Sequence, residues 1–409
     1  MHAKNLERLL ICLPISDVIL GFIALKLNLY AGNTMGSKIV TLFPGILLRG
    51  VLLVCLLLLL SMRSRAVVLF AAFFLCLTEA RALIVSDYTT GDILVSLVHV
   101  FKLVAVVSIA LFTLEQTFVR QLDSLRVLRY TISIYIAGIL IGTASGDYYT
   151  TYGGLGSSGW LIKGSANSLS IVFLLCGYYT LLYILSNKGR LRALVFTTCY
   201  LFSATLLVTK GAVVSSLISL FLFFRRFVRS LFLRIFLLSG LIFSALVFIA
   251  PRLTELNFVK RLNTVYDYYE GNILLLLLSG RNDHIDAVFN IVREFSIADF
   301  LLGFGHQRLR LAMESYTGKV IGVEVDILDL LFMNGMFFTA FYLTLIVSLF
   351  AMGFRQKHER LAFTTIFLCA LLLSTFAGHV FFSGMAGHLL PLFVAAHIQE
   401  GKKDEASYS

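Results

Sequence analysis

The chain has 409 residues, 58% of them hydrophobic and only 14% charged, with a net charge of +11. Its mean hydropathy is +0.89, whereas a soluble domain of this size carries roughly 25% charged residues, which excludes an ordinary soluble fold. The positive excess sits in short connections and forms no basic stripe with interleaved aromatics, so nucleic-acid binding is not expected either.

Apolar runs near 20 residues recur along the whole length, the span of a roughly 30 Å hydrocarbon core. The expected fold is an all-α polytopic integral membrane protein. Twelve spans are predicted at about 9–30, 39–60, 66–85, 93–114, 127–144, 166–185, 193–208, 211–224, 231–250, 327–353, 361–377 and 380–397. Residues 1–250 hold the first nine, 251–326 form one large loop with short helices, and 327–409 hold the last three with a tail. Met1–Arg8 before an apolar run resembles a signal sequence, but Pro14 and Asp17 interrupt that run, which fits an uncleaved first span.

Alternate connections carry the cations: Lys4 and Arg8, Arg63 and Arg65, Arg120 to Arg129, Lys188 to Arg192, Arg225 to Arg229, Arg355 to Arg360, and Lys402 with Lys403. The other connections hold only Lys38, Lys163 and Lys210, apart from the large loop. Lys and Arg stay cytoplasmic, so both termini are expected there and the large loop outside. That loop has eight Lys and Arg against ten Asp and Glu, so it is slightly acidic. All six cysteines lie in apolar runs without metal-ligand spacing, as buried small hydrophobes do.

Two outward segments have substance. Residues 145–165 are rich in Gly, Ser, Thr and Tyr and hold the only Trp; they fit either a flexible surface loop or a sugar-contacting one. Residues 251–326 are too long for a structureless connection. Within them Phe258–Tyr269 and Asp283–Phe295 carry apolar residues at helical spacing. Ile273–Leu278 is apolar but too short to span, and fits packing on the membrane surface.

Charges inside spans are costly, on the order of 3 kcal/mol. Arg49, Glu79, Arg81, His99 and Lys102 all fall there. They fit structural ion pairs between helices or a polar cavity for an anionic ligand. Lys210 stands at an outward turn where a helix begins, an arrangement that suits phosphate. Arg281 opens a helical segment. Gly303-Phe-Gly305-His306 reads as a tight turn, with Arg308 and Arg310 just after. Glu324 and Asp326 precede the tenth span. Arginines grip phosphate oxygens in pairs, and a carboxylate can take a proton from a sugar hydroxyl. The same two acids could instead only cap the tenth helix. His379, at the turn of the last hairpin, fits either an interfacial residue or the same cavity.

These residues resemble the O-antigen polymerase/ligase superfamily, including Wzy-type polysaccharide polymerases. The likeness rests on about twelve spans with one late outward loop, on TKGA at 209–212, on SGR at 279–281, and on GFGHQ followed by EVDILDLLFMNG. It covers much of 145–345. Ligases of the superfamily carry His-Asn, nine residues and a Gly. Counting back eleven from Gly335 places Glu324 where that His would stand, as in polymerases with an acid there. Lys210 stands where the family commonly has arginine.

The resemblance implies a GT-C-like membrane architecture at the periplasmic face of the bacterial inner membrane. It implies metal-independent glycosyl transfer without a cofactor. Donor and acceptor would both be undecaprenyl-diphosphate-linked oligosaccharides, and a chain-length regulator would be a partner. Glu324 would be the general base, with Asp326 behind it. Lys210 and Arg281, with Arg308 or Arg310, would hold diphosphate, and His306 and the 145–165 loop would position sugar. Arg49, Arg81 and Lys102 would line the cavity. The alternatives are a ligase moving the glycan to lipid A-core, a lipid-linked sugar transporter, and a non-catalytic scaffold. A transporter would be expected to show inverted repeats and broken helices, which the sequence does not display.

Overall fold

A computed structural model describes residues 3–27, 35–86, 88–115, 122–151, 156–161, 166–227, 266–267, 270–272, 281–318, 322–376, 378 and 386–408. The ninth predicted span, Lys38's side chain, Ile273–Leu278, nearly all of Phe258–Tyr269 and His379 lie outside the described residues.

Helix makes up 83% of the structure, as the apolar periodicity leads one to expect. In chain order the helices are α1 (Ala3–Lys26), α2 (Met35–Leu59), α3 (Met62–Val85), α4 (Thr90–Leu114), α5 (Ser124–Ala144), α6 (Ala166–Lys188), α7 (Arg190–Leu206) and α8 (Lys210–Phe227). They continue with α9 (Arg281–Val292), α10 (Ile297–Leu302), α11 (His306–Thr317), α12 (Asp326–Phe354), α13 (Arg360–Phe376) and α14 (Leu389–Tyr408). A short antiparallel hairpin, β1 (Thr150–Thr151) with β2 (Gly156–Ser157), pairs Thr150 with Ser157 and Thr151 with Gly156.

Among the described residues, six helices are long and apolar enough to cross a membrane: Lys4–Lys26, Met62–Val85, Thr90–Leu114, Ser124–Ala144, Asn167–Lys188 and Asp326–Phe354. Leu47–Leu59 and Arg360–Thr375 are apolar but shorter. The outer face of α3 exposes Leu69, Phe70, Phe73 and Ile84. A row of large exposed apolar side chains needs a covering, and a bilayer supplies it.

The main core is built around α6, where every residue from Ser168 to Leu181 is buried, enclosed by α5, α7, α8, α13 and α14. The buried faces of Phe173, Tyr178, Tyr179, Tyr200 and Phe363 meet there. A second, smaller core joins α9 and α11 to the start of α12 through Val288, Leu309, Met313, Val323 and Phe332. Residues 281–318 and 322–326 therefore form a folded cap seated on α3, α4 and α12.

The cap is joined to α12 by an unusual exchange. α12 is broken at Gly335, whose φ of 79° and ψ of 167° are non-helical. The break removes the partners that the carbonyls of Phe332 and Met333 would meet four residues on. Phe304 and Gly305 donate to those two carbonyls instead, at 2.8 and 3.0 Å. Gly303 and Gly335 pack backbone on backbone, and a Cβ on either would overlap the other strand of the contact.

Among the described residues between α5 and α6, Ser145, Gly146, Tyr148 and Thr150 are exposed, while others pack inward. Tyr149, Thr151, Ser157, Ser158 and Leu161 are buried. Thr151 Oγ1 donates to the Leu207 carbonyl at 3.1 Å, Tyr149 Oη to that of Gly21 at 3.0 Å, and Trp160 stacks beside Phe22 with ring centroids 4.8 Å apart. The hydroxyls and aromatics of this stretch hold helices together.

Candidate functional site

Glu324 stands at the junction between the cap and α12. Its φ is +61°, a left-handed backbone that costs a non-glycine residue about 1–3 kcal/mol and persists only where surroundings enforce it. Asp329 supplies that enforcement. Its two carboxylate oxygens accept the N–H groups of Val323 and Glu324 at 2.8 and 3.1 Å. Its own N–H donates to the Val325 carbonyl at 2.9 Å. From the other side the backbone of Gly378 lies against the Glu324 carbonyl, too close for any side chain there.

Arg281, the first residue of α9, comes up beneath Glu324. Its Nε donates to the Glu324 carbonyl at 2.9 Å and its Nη2 to Oε2 at 3.3 Å. The Arg281 side chain is 6% exposed and that of Glu324 29%. The guanidinium is thus an enclosed support, and the carboxylate is the part that meets solvent. Val325, the residue before α12, caps nothing with its side chain, and Glu324 is turned to Arg281. Complementing the helix dipole falls to Asp326 and Asp329 in the first turn, both buried.

Lys210 begins α8. Thr209 Oγ1 accepts the Ala212 N–H at 3.0 Å and meets Ser170 Oγ at 3.0 Å. Gly211 touches Ser170 and Leu373 of α13. Five residues beyond Leu373 is Gly378, which touches Glu324. Lys210 and Glu324 therefore flank the same end of α13.

The remaining predicted cations form two other groups. Arg81 Nη2 lies 2.6 Å from Asp299 Oδ1 and 2.5 Å from the Gly303 carbonyl. Arg308 Nη1 reaches the same carboxylate oxygen at 3.2 Å, with its guanidinium 3.7 Å from the centroid of the Phe304 ring. Glu79 accepts the His306 N–H at 2.7 Å, and Thr78 Oγ1 donates to the Leu302 carbonyl at 2.6 Å. The upper end of α3 thus grips the glycine turn of the cap. Burial pushes Asp299 upward, but hydrogen bonds from Ser296 and Arg81 outweigh it and hold the carboxyl below its usual range.

Deeper in the bundle Arg49 pairs with Asp17 at 3.5 Å, and Asp17 accepts from Tyr135 Oη at 2.8 Å. Arg49, Lys102 and His388 border a small gap of only about 10 Å³, closed off by Leu13, Leu52 and Val106. Arg310 Nη1 donates to Gln307 at 3.4 Å, and Gln307 donates to Asp92 at 2.8 Å. The His306 ring lies on that of His99 with centroids 4.1 Å apart, and His99 Nε2 is 3.3 Å from Asn334 Oδ1. Burial first, and then the charges of His99, Arg310 and Lys102, push His306 well below the ordinary histidine range. This imidazole is a packed, neutral group.

No protein-family model, curated protein or solved structure matches the chain.

Of the predicted site residues, the structure brings Arg281 and Glu324 into contact, with Asp326 one turn into the buried floor and Lys210 across the end of α13. It sends Arg81 and Arg308 to Asp299, keeps His306 and Arg310 on the cap helix α11 where it meets α3 and α4, and leaves Arg49 and Lys102 within the bundle. Among the described residues no three His, Cys, Asp or Glu side chains gather as a metal-binding group. Sequence reasoning overlooked Asp329, Asp299 and Gly378. Asp329 could have been suspected, because it follows Asp326 by three residues on the same helical face. Chemically, the junction offers a solvent-facing carboxylate in a strained, fixed position, with guanidinium charge directly below it.

Proposed function

We propose that the chain is a membrane glycosyltransferase that polymerises oligosaccharide repeat units carried on undecaprenyl diphosphate. It would act at the periplasmic face of the bacterial inner membrane, on O-antigen or a similar polysaccharide. The observation that carries this reading is the Glu324–Arg281 pair. A half-buried carboxylate, on a backbone held at φ +61° by Asp329 and Gly378, sits at the head of a membrane-length helix and pairs with a buried guanidinium. Strain kept at one polar residue by several surrounding groups fits a functional position better than a fold-stabilising one.

The chemistry follows from the two groups. Glu324 accepts the proton of an acceptor-sugar hydroxyl. The acceptor oxygen bonds to the donor's anomeric carbon as the bond from that carbon to the diphosphate oxygen breaks. The lipid diphosphate leaves with the electron pair. Arg281 below the carboxylate and Lys210 across the end of α13 offset the charge that builds on it. Asp326 is wholly buried, so the base role rests with Glu324. Arg81, Arg308 and His306 have structural duties in the cap and are left out of the reaction.

The test is reconstitution. The purified chain in lipid, given a lipid-diphosphate-linked repeat unit, should release a ladder of glycan lengths. A single transfer to a lipid A acceptor would point to a ligase, and an unchanged substrate pool would remove the enzyme reading altogether.

A further inference from the structure

At the opposite end of α12 and α13 from Glu324 lies an open cleft of about 430 Å³. It is lined by Arg225 and Arg226 from the last turn of α8, and by Lys357, Glu359 and Arg360 from the α12–α13 turn. Among the described residues lining the cleft, one carboxylate faces these four cations, and it is already engaged. Glu359 accepts from Arg226 Nη1 at 2.6 Å and from Tyr178 Oη at 2.7 Å. Among the described residues Arg225, Lys357 and Arg360 form no ion pair. The turn that presents them is fixed: Glu359 sits at φ +45°, its carbonyl accepts the Phe363 N–H at 3.0 Å, and the Arg360 guanidinium lies 4.8 Å from the Phe354 ring centroid.

We propose that this cleft is a binding site for an anionic phosphate group, the chemistry shared by anionic lipid headgroups and free polyphosphates. Three uncompensated cations held around one opening match a doubly anionic or diester group, which arginine grips through paired N–H donors. The cleft also opens where a membrane-length helix ends, at headgroup depth, and Leu222 and Leu361 add an apolar wall beside the charges. Basic pockets between helices at this level are suited to anionic headgroups. The site does not depend on the transferase reading, since about 25 Å of helix α13 separates it from Glu324.

The purified full chain in neutral detergent would be titrated with phosphatidylglycerol, phosphatidylcholine or inorganic diphosphate, with bound ligand counted by native mass spectrometry. Phosphatidylglycerol should bind in clear preference to phosphatidylcholine. Each cation near an anionic headgroup is worth roughly fivefold, so combined Arg225→Gln, Lys357→Gln and Arg360→Gln should weaken binding by roughly a hundredfold. Lys357→Gln alone, a milder change at an exposed position, should weaken it by roughly fivefold. Arg190→Gln with Arg192→Gln, exposed cations of α7 outside the cleft, should change nothing. Diphosphate that displaces the lipid marks the phosphate itself as the determinant, and diphosphate that fails to bind marks the lipid headgroup. Equal binding of both lipids without diphosphate binding, or an equal loss in the α7 variant, would overturn the site.

Discussion

Arg281 holds Glu324 by two atoms at once: Nε donates to its carbonyl at 2.9 Å and Nη2 to its carboxylate at 3.3 Å. A guanidinium can make both contacts because its donors lie in one fixed fork, whereas an ammonium is a single point charge. Arg281→Lys should therefore lose most polymerising activity although charge is conserved. It should also lower stability by about 1–3 kcal/mol, because a buried carbonyl loses its partner. Activity and thermal melting, measured on the same preparation, check both; retained activity would show that the fork is unnecessary.

Asp329 positions Glu324 without facing the substrate. In Asp329→Asn one carboxylate oxygen becomes an N–H donor, so only one of the two backbone N–H groups of Val323 and Glu324 keeps its acceptor. The expected cost is about 1–3 kcal/mol, with Glu324 less firmly placed. A positioning role predicts a fall in kcat with KM nearly unchanged. A fall in stability alone, with kcat intact, would reduce Asp329 to a structural support.

Gly335 cannot be replaced cheaply. Its backbone region is essentially open to glycine alone, with strain of about 1–3 kcal/mol for other residues, and a Cβ would also overlap the backbone of Leu301 to Gly303. Gly335→Ala should destabilise by at least about 3 kcal/mol and free the cap from α12. Limited proteolysis of the 281–326 region in the membrane-inserted protein would reveal that release. A variant as resistant as the parent would mean that the glycine contact does not fasten the cap.

Acid should loosen the cap through two groups. Asp299 is held below its usual value of 3.8, so its stabilisation is present at neutral pH and is lost as pH falls below that value. His306 is held below its usual value of 6.5. The unfolded chain therefore takes up a proton that the folded chain refuses, and stability begins to fall once pH drops below about 6.5. Melting temperature against pH should decline in both ranges. His306→Gln should diminish the upper decline, and Asp299→Asn the lower one; curves parallel to the parent's would contradict the assignments.

Much of this was open to a reader of the chain. Helices α1 to α8, α12 and α13 follow runs of apolar residues, and the helix predicted over Asp283–Phe295 appears as Arg281–Val292. The glycine turn and Glu324's place before a long apolar helix were local patterns too. The pairings were not, because periodicity reports on neighbours and says nothing across the chain. Arg81 meets Asp299 from 218 residues away, and Glu79 meets His306 from 227. Glu79 and Arg81, the charges deep in α3, find their reason in the cap, which no composition of α3 discloses. The break at Gly335 is visible only once the GFG turn is known to need the carbonyls of Phe332 and Met333. Ser, Thr and Tyr in the 145–165 segment suggested a surface or sugar-contacting loop; that Tyr149, Thr151 and Ser158 also tie the segment to the bundle was not legible, because their partners lie on other helices or across the turn.

Fold and chemistry can be separated at one residue. Glu324→Gly relieves the left-handed backbone and Glu324→Ala does not, so the glycine variant should be the more stable of the two by about 1 kcal/mol. Both should be inactive. Melting curves that rank alanine above glycine would mean that the strain at φ +61° is not carried by the native protein.

Glu324→Gln is the most direct probe of the central claim, because it keeps size and hydrogen bonding while removing the base. Expressed to normal level in a strain lacking its own polymerase, or reconstituted with lipid-linked repeat unit, it should leave only single units and no ladder. A normal ladder from well-folded Glu324→Gln protein would contradict the assignment of Glu324 as the base.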